Sequence, residues 1–512
     1  MSASSSGPGR YPGDRESRLS AQLRLAQASG RWVLLAAVLG SGLAGIDATV
    51  VNIALPAIGV DLHAGFAGLQ WTINAYTLTL ASFILLGGSL GDRYGRRRVF
   101  TVGVVWFALA SALCALAPTI QFLIAARGLQ GLGGALLMPG SLAMISASFV
   151  PDDRAKAIGA WSGLGGVAIA IGPFLGGYLV GGPGWRWIFV INLPLAAVVV
   201  AIARRRVPET LDPEAAPHLD ILGATLGAVG LGALTFALIA AGSGWSGRVL
   251  GVAAVGVVAL AGFVITEVRS AHPMLPPHLF ASRQFTSANV VTFAVYAALG
   301  GVFFFLVVCL QVVGGFSPLL AGMAMLPVTV IMLALSARAG ALSARIGPHL
   351  PLTIGPLVSA CGVLLLLRIS PHTSYLTDVL PAVTVFGLGL SLIVAPLTTT
   401  VLAAATTKNA GVASGVNNAV ARAAGLLAVA VLPLIAGITA DDYQHPAAFS
   451  AGFRVAMVVC AVLLVLGAVI AALTIRNPTV VTEAVLPQRR RHCGIEGPPV
   501  QVEAAPAGVA PS

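Results

Sequence analysis

Apolar stretches of about twenty residues recur fourteen times along this 512-residue chain, separated by short polar segments. An α-helix rises ~1.5 Å per residue, so each stretch can cross the ~30 Å apolar core of a bilayer. This pattern predicts an all-α integral membrane protein. The predicted spans are residues 33–59, 69–90, 98–118, 121–145, 156–180, 187–203, 219–241, 248–267, 285–312, 318–338, 350–369, 378–404, 410–438 and 451–475.

Charged residues make up only 9% of the sequence, whereas 57% of it is hydrophobic. A soluble domain carries roughly 25% charged residues, so this chain lacks the polar surface that a water-soluble fold of its size needs. Its 60 glycines fit a membrane bundle, in which small residues let helices approach closely. The five cysteines show no metal-ligand spacing, so we expect neither a metal nor a cofactor.

The basic residues are distributed unevenly between the two sides of the predicted bundle. If the N-terminus is cytoplasmic, 23 of the 29 Lys and Arg residues fall in the cytoplasmic tails and loops, and 4 fall in the outer loops. This asymmetry predicts a multi-pass protein of the plasma membrane with both termini in the cytoplasm. The net charge of +11 is therefore interpreted as anchoring in the lipid bilayer, and no nucleic-acid partner is expected.

A short motif occurs twice and indicates an internal repeat. Gly88-x-Leu90-x-Asp92-Arg93-x-Gly95 returns as Gly340-x-Leu342-x-Ala344-Arg345-x-Gly347, after the second and the tenth span. Transporters are often built from such repeats, with the solute site between the halves. The predicted domains are a cytoplasmic tail (1–30), a six-helix bundle (31–203), a linker with two extra helices (204–284), a second six-helix bundle (285–476) and a disordered cytoplasmic tail (477–512).

Only three charged residues lie deep inside the predicted spans: Asp47, Arg127 and Arg422. Asp47 lies roughly 21 Å from the cytoplasmic end of its span, and Arg127 roughly 9 Å from the outer end of an oppositely directed span. The two depths agree, so we expect the two side chains to interact, directly or through Gln130 or water. Arg127 would favour the ionised carboxylate in one state, and separation or burial would favour the protonated form in another. The alternative is a static buried ion pair.

The loop Gly88-Ser-Leu-Gly-Asp-Arg-Tyr-Gly-Arg-Arg-Arg98 is the most specific string in the chain. Its glycines permit a tight turn, and its aspartate and arginines can bind helix termini, carboxylates or lipid phosphates. The spacing exceeds what simple membrane anchoring requires, although a plain positively charged loop is the alternative. The residues assigned to this gating loop are Gly88, Asp92, Arg93, Gly95, Arg96 and Arg97.

This loop resembles the signature between the second and third helices of the major facilitator superfamily. Three further motifs, in the first, fourth and fifth spans, are similar to those of its fourteen-helix drug:proton antiporter branch, and the resemblance covers residues from about 40 to 475. These motifs are Asp47-Ala-Thr-Val-Val-Asn52-Ile-Ala-Leu-Pro56, Arg127-Gly-Leu-Gln130-Gly-Leu-Gly133 and Gly172-Pro173-Phe-Leu-Gly176-Gly177. Trp185-Arg-Trp187-Ile-Phe-Val-Ile-Asn192-Leu-Pro194, before the sixth span, also fits.

The resemblance implies two six-helix bundles with two inserted helices, and a proton-coupled antiporter that exports hydrophobic or amphipathic drugs by alternating access. A proton gradient would supply the energy. Asp47 would carry the proton with Arg127 as its partner, and Gly172, Pro173, Gly176 and Gly177 would form a hinge, ordinary small-residue packing being the alternative. The candidate residues of the substrate cavity are Asn52, Gln130, Asn417, Asn418 and Arg422.

Several alternatives remain open at this point. Arg422 could bind an anionic group of the substrate or an internal carbonyl, and the two asparagines before it could line the cavity or bond between helices. Ala344 stands where the first copy of the repeat has Asp92, which leaves the number of protons and the acceptance of cationic drugs open. A dedicated exporter of one self-made metabolite or amino acid is the rival function. A membrane-embedded enzyme is disfavoured because no histidine falls inside a predicted span.

Overall fold

In the part of the chain that the structure describes, fourteen helices are long and apolar enough to span a membrane. The structure is a computed structural model, and it describes residues 23–211, 220–270, 273–405, 410–438 and 445–477. The prediction of an all-α protein with fourteen spans is confirmed. We number the helices α1 Ala28–Asp61, α2 Phe66–Tyr94, α3 Arg96–Ala115, α4 Ile120–Ser148, α5 Pro151–Gly181, α6 Trp187–Arg206, α7 Ile221–Ala241, α8 Gly247–Arg269, α9 Arg283–Val312, α10 Pro318–Ile346, α11 His349–Arg368, α12 Tyr375–Ala403, α13 Ala410–Ile435 and α14 Pro446–Thr474.

The helix ends follow from local sequence signals. Five helices begin after a capping residue whose side chain accepts a hydrogen bond from the backbone N–H three residues later. That N–H lies in the first turn, where the helix itself offers no carbonyl to accept it. The two copies of the repeated motif end alike, because Gly95 and Gly347 close α2 and α10 with positive φ angles of 111° and 86°. The five N-terminal caps are Thr119, Asp220, Ser246, Ser282 and Ser317.

Most helices extend a few residues beyond the spans predicted from hydropathy, and α10 extends furthest. α10 continues to Ile346, past the predicted end at 338, because a charged residue ends an apolar stretch without ending a helix. α1 begins at Ala28, inside the predicted cytoplasmic tail of residues 1–30. The remainder of that tail up to residue 22, and the second tail after Asn477, lie outside the described residues.

Helix packing repeats with an offset of eight helices. α2 packs on α4 as α10 packs on α12, α3 on α4 as α11 on α12, and α1 on α5 as α9 on α13. The two halves touch through α1 and α9 and through the related pairs α2–α13 and α10–α5. Helices α7 and α8 pack on each other, and α7 also contacts α2 and α13. This arrangement is that of two six-helix halves with two inserted helices, although the predicted domain boundaries themselves stay a prediction.

The halves meet mainly at one side of the bundle. We call the side where α1 begins and α14 ends the terminal side, and the opposite one the distal side. On the distal side, one hydrophobic cluster joins both halves, and the Phe66 ring lies 5.7 Å from Phe304 and 6.4 Å from Phe449 between centroids. A second cluster, which includes Phe100 and Phe149, contains residues of the first half only. The distal side is therefore closed across the two halves.

Polar contacts to backbone carbonyls reinforce the distal closure. Gln311 on α9 donates to the carbonyl of Ile53 on α1 at 3.2 Å, and Gln70 on α2 donates to that of Val429 on α13 at 2.7 Å. Towards the terminal side, α2 and α13 stay in contact, whereas α5 becomes sparsely packed. A Cβ atom added at its glycines there would meet no atom of the described part of the chain within 4 Å; these are Gly159, Gly163, Gly165 and Gly166.

The chain before α1 is attached to the loop between α4 and α5. Leu23 forms a parallel β-bridge with Phe149, and the Leu25 N–H donates to the Asp153 carboxylate at 3.0 Å. This backbone hydrogen bond, aided by Lys156, lowers the pKa of Asp153 from its ordinary value. The carboxylate therefore stays ionised throughout the neutral range, and the contact is lost only in strong acid.

Candidate functional site

Asp47 and Arg127 form a fully buried ion pair within the first half of the bundle. Arg127 Nη1 on α4 lies 2.5 Å from Asp47 Oδ2 on α1, and the side chains are 1% and 0% exposed. Arg127 Nε also donates to the carbonyl of Thr72 on α2 at 3.1 Å. A buried ion pair is stable only where hydrogen bonds satisfy its remaining donors and acceptors, and this carbonyl satisfies one of them.

Gln130 joins the two charged groups. It lies one turn after Arg127, accepts from the guanidinium at 2.7 Å and donates to Asp47 Oδ1 at 2.9 Å. Asn192 on α6 donates to the same carboxylate oxygen at 3.3 Å, and its amide also reaches Ser111 on α3 at 2.9 Å. Five helices thus supply one connected set of polar groups, which we call the buried network: Asp47, Thr72, Ser111, Arg127, Gln130 and Asn192.

Aromatic rings close the buried network on the Arg127 side. The guanidinium carbon lies 4.4 Å from the ring centroid of Tyr76 and 5.9 Å from that of Phe189. A cation over an aromatic face is attracted electrostatically, and more strongly where water is excluded. The pair is therefore held in a dry environment in which adding or removing one proton would change the local charge strongly.

The sequence identified part of this network. It paired Asp47 with Arg127 and named Gln130, which the structure places between them rather than along an open cavity wall. Ser111 was missed, since nothing in its sequence surroundings distinguishes it, and Asn192 was quoted only within the motif before α6. Asn52 lies outside the network: its amide donates to the Ala48 carbonyl, and its buried oxygen has no hydrogen-bond partner among the described residues.

The glycines of the α5 motif lie where α5 crosses its neighbours. A Cβ at Gly172 or Gly176 would collide with Thr49 or Val50 of α1. A Cβ at Gly177 would come within 2.6 Å of the Leu319 Cα on α10, in the other half. Close backbone approach therefore requires glycine here. The predicted hinge residues form part of the distal closure, and Pro173 contributes through its carbonyl, which would face a Cβ added at Gly322.

The predicted gating loop binds to the chain that follows α6. Asp92 pairs with Arg96 at 2.7 Å within the loop, and the backbone N–H of Arg97 donates to the Glu209 carboxylate at 3.0 Å. A Cβ at Gly95 would lie 2.8 Å from that carboxylate. Gly88 faces Pro139 of α4, and the Arg93 guanidinium lies over the Tyr94 ring. These contacts connect the loop to the chain that follows α6, and sequence reasoning missed Glu209.

The three cavity candidates on α13 have different surroundings. Asn417 donates to Thr292 at 2.7 Å and to Asn289 at 3.2 Å, both on α9, and so bonds between helices. The amide of Asn418 is exposed and donates to a carbonyl of its own helix. Arg422 instead reaches across the two halves, with Nη2 lying 3.8 Å from Met138 Sδ on α4.

Comparison with known proteins agrees with this architecture. The chain is 36% identical over 462 residues to the puromycin resistance protein pur8 of Streptomyces alboniger, covering 88% of this chain and 92% of that protein. It is 34% identical to the tetracenomycin C resistance and export protein of Streptomyces glaucescens over 80% and 76% of the two chains. The solved D-xylose-proton symporter shares the fold with a TM-score of 0.62 at 16% identity, covering 88% of this chain and 99% of that one.

Residues 37–429 match the sequence family described as the Major Facilitator Superfamily. The curated relatives are resistance and export proteins, which indicates a transporter rather than an enzyme. The resemblance carried by the sequence motifs is therefore confirmed. The chain is a multi-pass membrane protein that belongs to the Major Facilitator Superfamily and, within it, to the drug-efflux type.

Proposed function

We propose that this protein exports hydrophobic or amphipathic small molecules, such as drugs and antibiotics, across the cytoplasmic membrane in exchange for protons. The observation that carries the proposal is the buried network around Asp47, the only acid deep inside a span. An intramembrane carboxylate is costly to maintain and is by default a functional site. Its partners are a proton and the guanidinium of Arg127.

α1 connects this proton site to the distal closure. Asp47 is followed on the same helix by Val50, which packs on Gly176, and by Ile53, whose carbonyl binds Gln311 of the other half. Two turns of one helix therefore join the carboxylate to the contact between the halves. Protonation of Asp47 removes the charge that attracts Arg127, and the resulting shift of α1 would loosen the distal contacts and open that side.

The state described here fits one stage of alternating access. Its distal side is closed, and α5 is sparsely packed near the terminal side, where the two termini are expected to be cytoplasmic. In this state the substrate would enter from the cytoplasm and lipid bilayer. The gating loop, bound to Glu209, would act as a rigid end of the first half.

The rival function is a dedicated exporter of one self-made metabolite or amino acid, with the same fold and proton coupling. The names of the relatives include single antibiotics, so both readings are compatible with them. Resistance profiling of a host that expresses the protein separates the two. Protection against several unrelated compounds supports the broad exporter, and protection against one compound supports the rival.

Transport into inverted membrane vesicles tests the proposal. An acid-inside gradient should drive uptake of the compounds to which the protein confers resistance, and a protonophore should abolish it. Vesicles without the protein serve as the control. Uptake that persists at full rate with the protonophore would rule out proton exchange.

A further inference from the structure

A second cation inside a span, the half-buried Arg422, is not used by the buried network. It lies near the middle of α13, and the structure records one hydrogen-bonding contact for its side chain, to the thioether of Met138. Guanidinium carries five N–H donors, whereas a thioether is a weak acceptor. Arg127, by contrast, has Asp47, Gln130 and a backbone carbonyl as acceptors.

The groups that face Arg422 are polarisable or aromatic, and no carboxylate pairs with it among the described residues. Its contact Met138 lies on α4, and Tyr296 on α9 lies beside Gly425, about one turn after Arg422 on α13. The buried Tyr76 hydroxyl has no hydrogen-bond partner in the described part of the chain, and it lies 3.3 Å from where a Cβ at Gly134 would stand, one turn before Met138. An arginine without an anionic partner and a hydroxyl without a hydrogen-bond partner in the described residues therefore both lie beside the same turn of α4, from Gly134 to Met138.

Leaving charged donors without acceptors inside a membrane protein costs several kcal/mol unless water or a ligand supplies them. A carboxylate fits the guanidinium particularly well, because two parallel hydrogen bonds can form. A cationic substrate, in contrast, would find Asp47 already occupied by Arg127 and no other deep carboxylate in the sequence.

We propose that the substrate cavity accepts amphipathic organic anions, with Arg422 binding the carboxylate or phenolate and Met138 and Tyr76 contacting the apolar body. This inference rests on the proposed export function and names its substrate class. Tyr76 is the side chain common to both sites, since its ring also lies over Arg127. Tyr76 therefore connects the proposed substrate site to the Asp47–Arg127 pair.

The charge of the substrate has an energetic consequence. If one proton enters for each monovalent anion that leaves, two unit charges move in the direction favoured by an inside-negative membrane potential. Exchange of a proton for a neutral molecule moves only one unit charge. A potential imposed with potassium and valinomycin should therefore accelerate export of an anion more than export of its neutral analogue.

Binding of a matched pair of dyes tests the inference without transport. The pair is a fluorescent dye with one carboxylate and its neutral methyl ester, measured by fluorescence anisotropy on the full-length protein in lipid nanodiscs. Wild type should bind the carboxylate about tenfold more tightly than the ester. Arg422→Gln should reduce this ratio to about one, Arg422→Lys should keep part of it, and Arg454→Gln, at an exposed arginine of α14, should keep all of it.

Equal affinity of wild type for the two dyes would overturn the inference, and this result needs no variant to fold. A ratio that is unchanged in folded Arg422→Gln would overturn it as well. The export function fails separately, if a proton gradient drives neither dye across proteoliposomes. In that case the binding ratio still decides whether Arg422 is an anion site.

Discussion

At the scale of single residues, the buried network has more members than its two charges. The pairing of Asp47 with Arg127 was predictable because two helices of opposite direction place them at the same depth. Ser111 and Asn192 were not, since a polar residue in an apolar span gives no indication of which neighbour it faces. Their position depends on how α3 packs against α4 and α6, and α6 against α1, which is a property of the tertiary structure.

Removing the Gln130 amide should destabilise the protein. Gln130→Ala deletes the bonds to both charges and leaves each with an unsatisfied site in a dry environment, which costs about 1–3 kcal/mol. A melting temperature several degrees lower is expected by thermal unfolding in detergent. Asn418→Ala, which removes an exposed amide on α13, is the control and should melt like wild type. A Gln130→Ala melting temperature equal to that of the control would contradict the network.

Arg127→Lys should abolish gradient-driven export although it preserves the charge. The planar guanidinium reaches Asp47, Gln130 and the Thr72 carbonyl in three directions, which one ammonium on a flexible stem cannot reproduce. Uptake into inverted vesicles should fall to background at unchanged expression. Export at the wild-type rate would show that only the charge of Arg127 matters.

At the scale of helices, the positions of the spans and turns were largely predictable from the sequence, whereas the contacts between elements distant in sequence were not. Hydropathy located every span because the bilayer sets its length, and the two turn glycines of the repeat mark equivalent helix ends. The partner of the gating loop could not be predicted, because Glu209 is far from it in sequence and is one carboxylate among several in the loops. The role of this loop in gating stays a prediction.

Gly177→Val should prevent the distal closure. The added side chain would meet the backbone of Leu319 on α10, which cannot yield as a flexible side chain would. Export should be lost, and the variant should favour a state open at the distal side, measured as faster labelling of a cysteine placed there by an impermeant thiol reagent. Gly181→Val is the matched control, since nothing lies within 4 Å of its Cβ position. Equal labelling of both variants would argue against this role for α5.

The inserted helices α7 and α8 carry a carboxyl pair that offers a stability test. Buried oxygens of Asp220 and Glu267 lack hydrogen-bond partners among the described residues, and both lie within 2.9 Å of the Cβ position of Gly223. Two adjacent carboxylates repel unless they share a proton. Glu267→Gln supplies a donor and should raise the stability by about 1 kcal/mol at mildly alkaline pH. Glu267→Ala supplies no donor and should not raise the stability. A lower melting temperature for Glu267→Gln than for wild type would contradict the contact between the two carboxyl groups.

At the scale of the whole molecule, transport by alternating access requires the two packed halves to close against each other on one side at a time. The two-half organisation was predictable from the repeated motif, since equivalent helices then pack in equivalent pairs. The conformational state was not, because one sequence must support both an outward-open and an inward-open packing. The distal cluster around Phe66 specifies which of the two is described here.

Cross-linking the distal side should stop the cycle. Phe66→Cys with Phe449→Cys, in a protein whose natural cysteines are replaced, should be cross-linked in the closed state by a short bis-methanethiosulfonate reagent, because the native ring centroids lie 6.4 Å apart. The spacer of the reagent covers a distance that a direct disulfide could not. Export should be lost on cross-linking and restored by a reductant, with each single cysteine variant as the control. Full activity of the cross-linked double variant would mean that the distal side need not open.

Comparing two transport modes of Asp47→Asn in proteoliposomes shows whether Asp47 carries the exchanged proton. Asparagine keeps the shape of the side chain and cannot be ionised, so transport driven by a pH gradient should be lost. Exchange of labelled for unlabelled substrate without a gradient, which requires no net proton movement, should persist. Gradient-driven transport by Asp47→Asn at the wild-type rate would contradict the account.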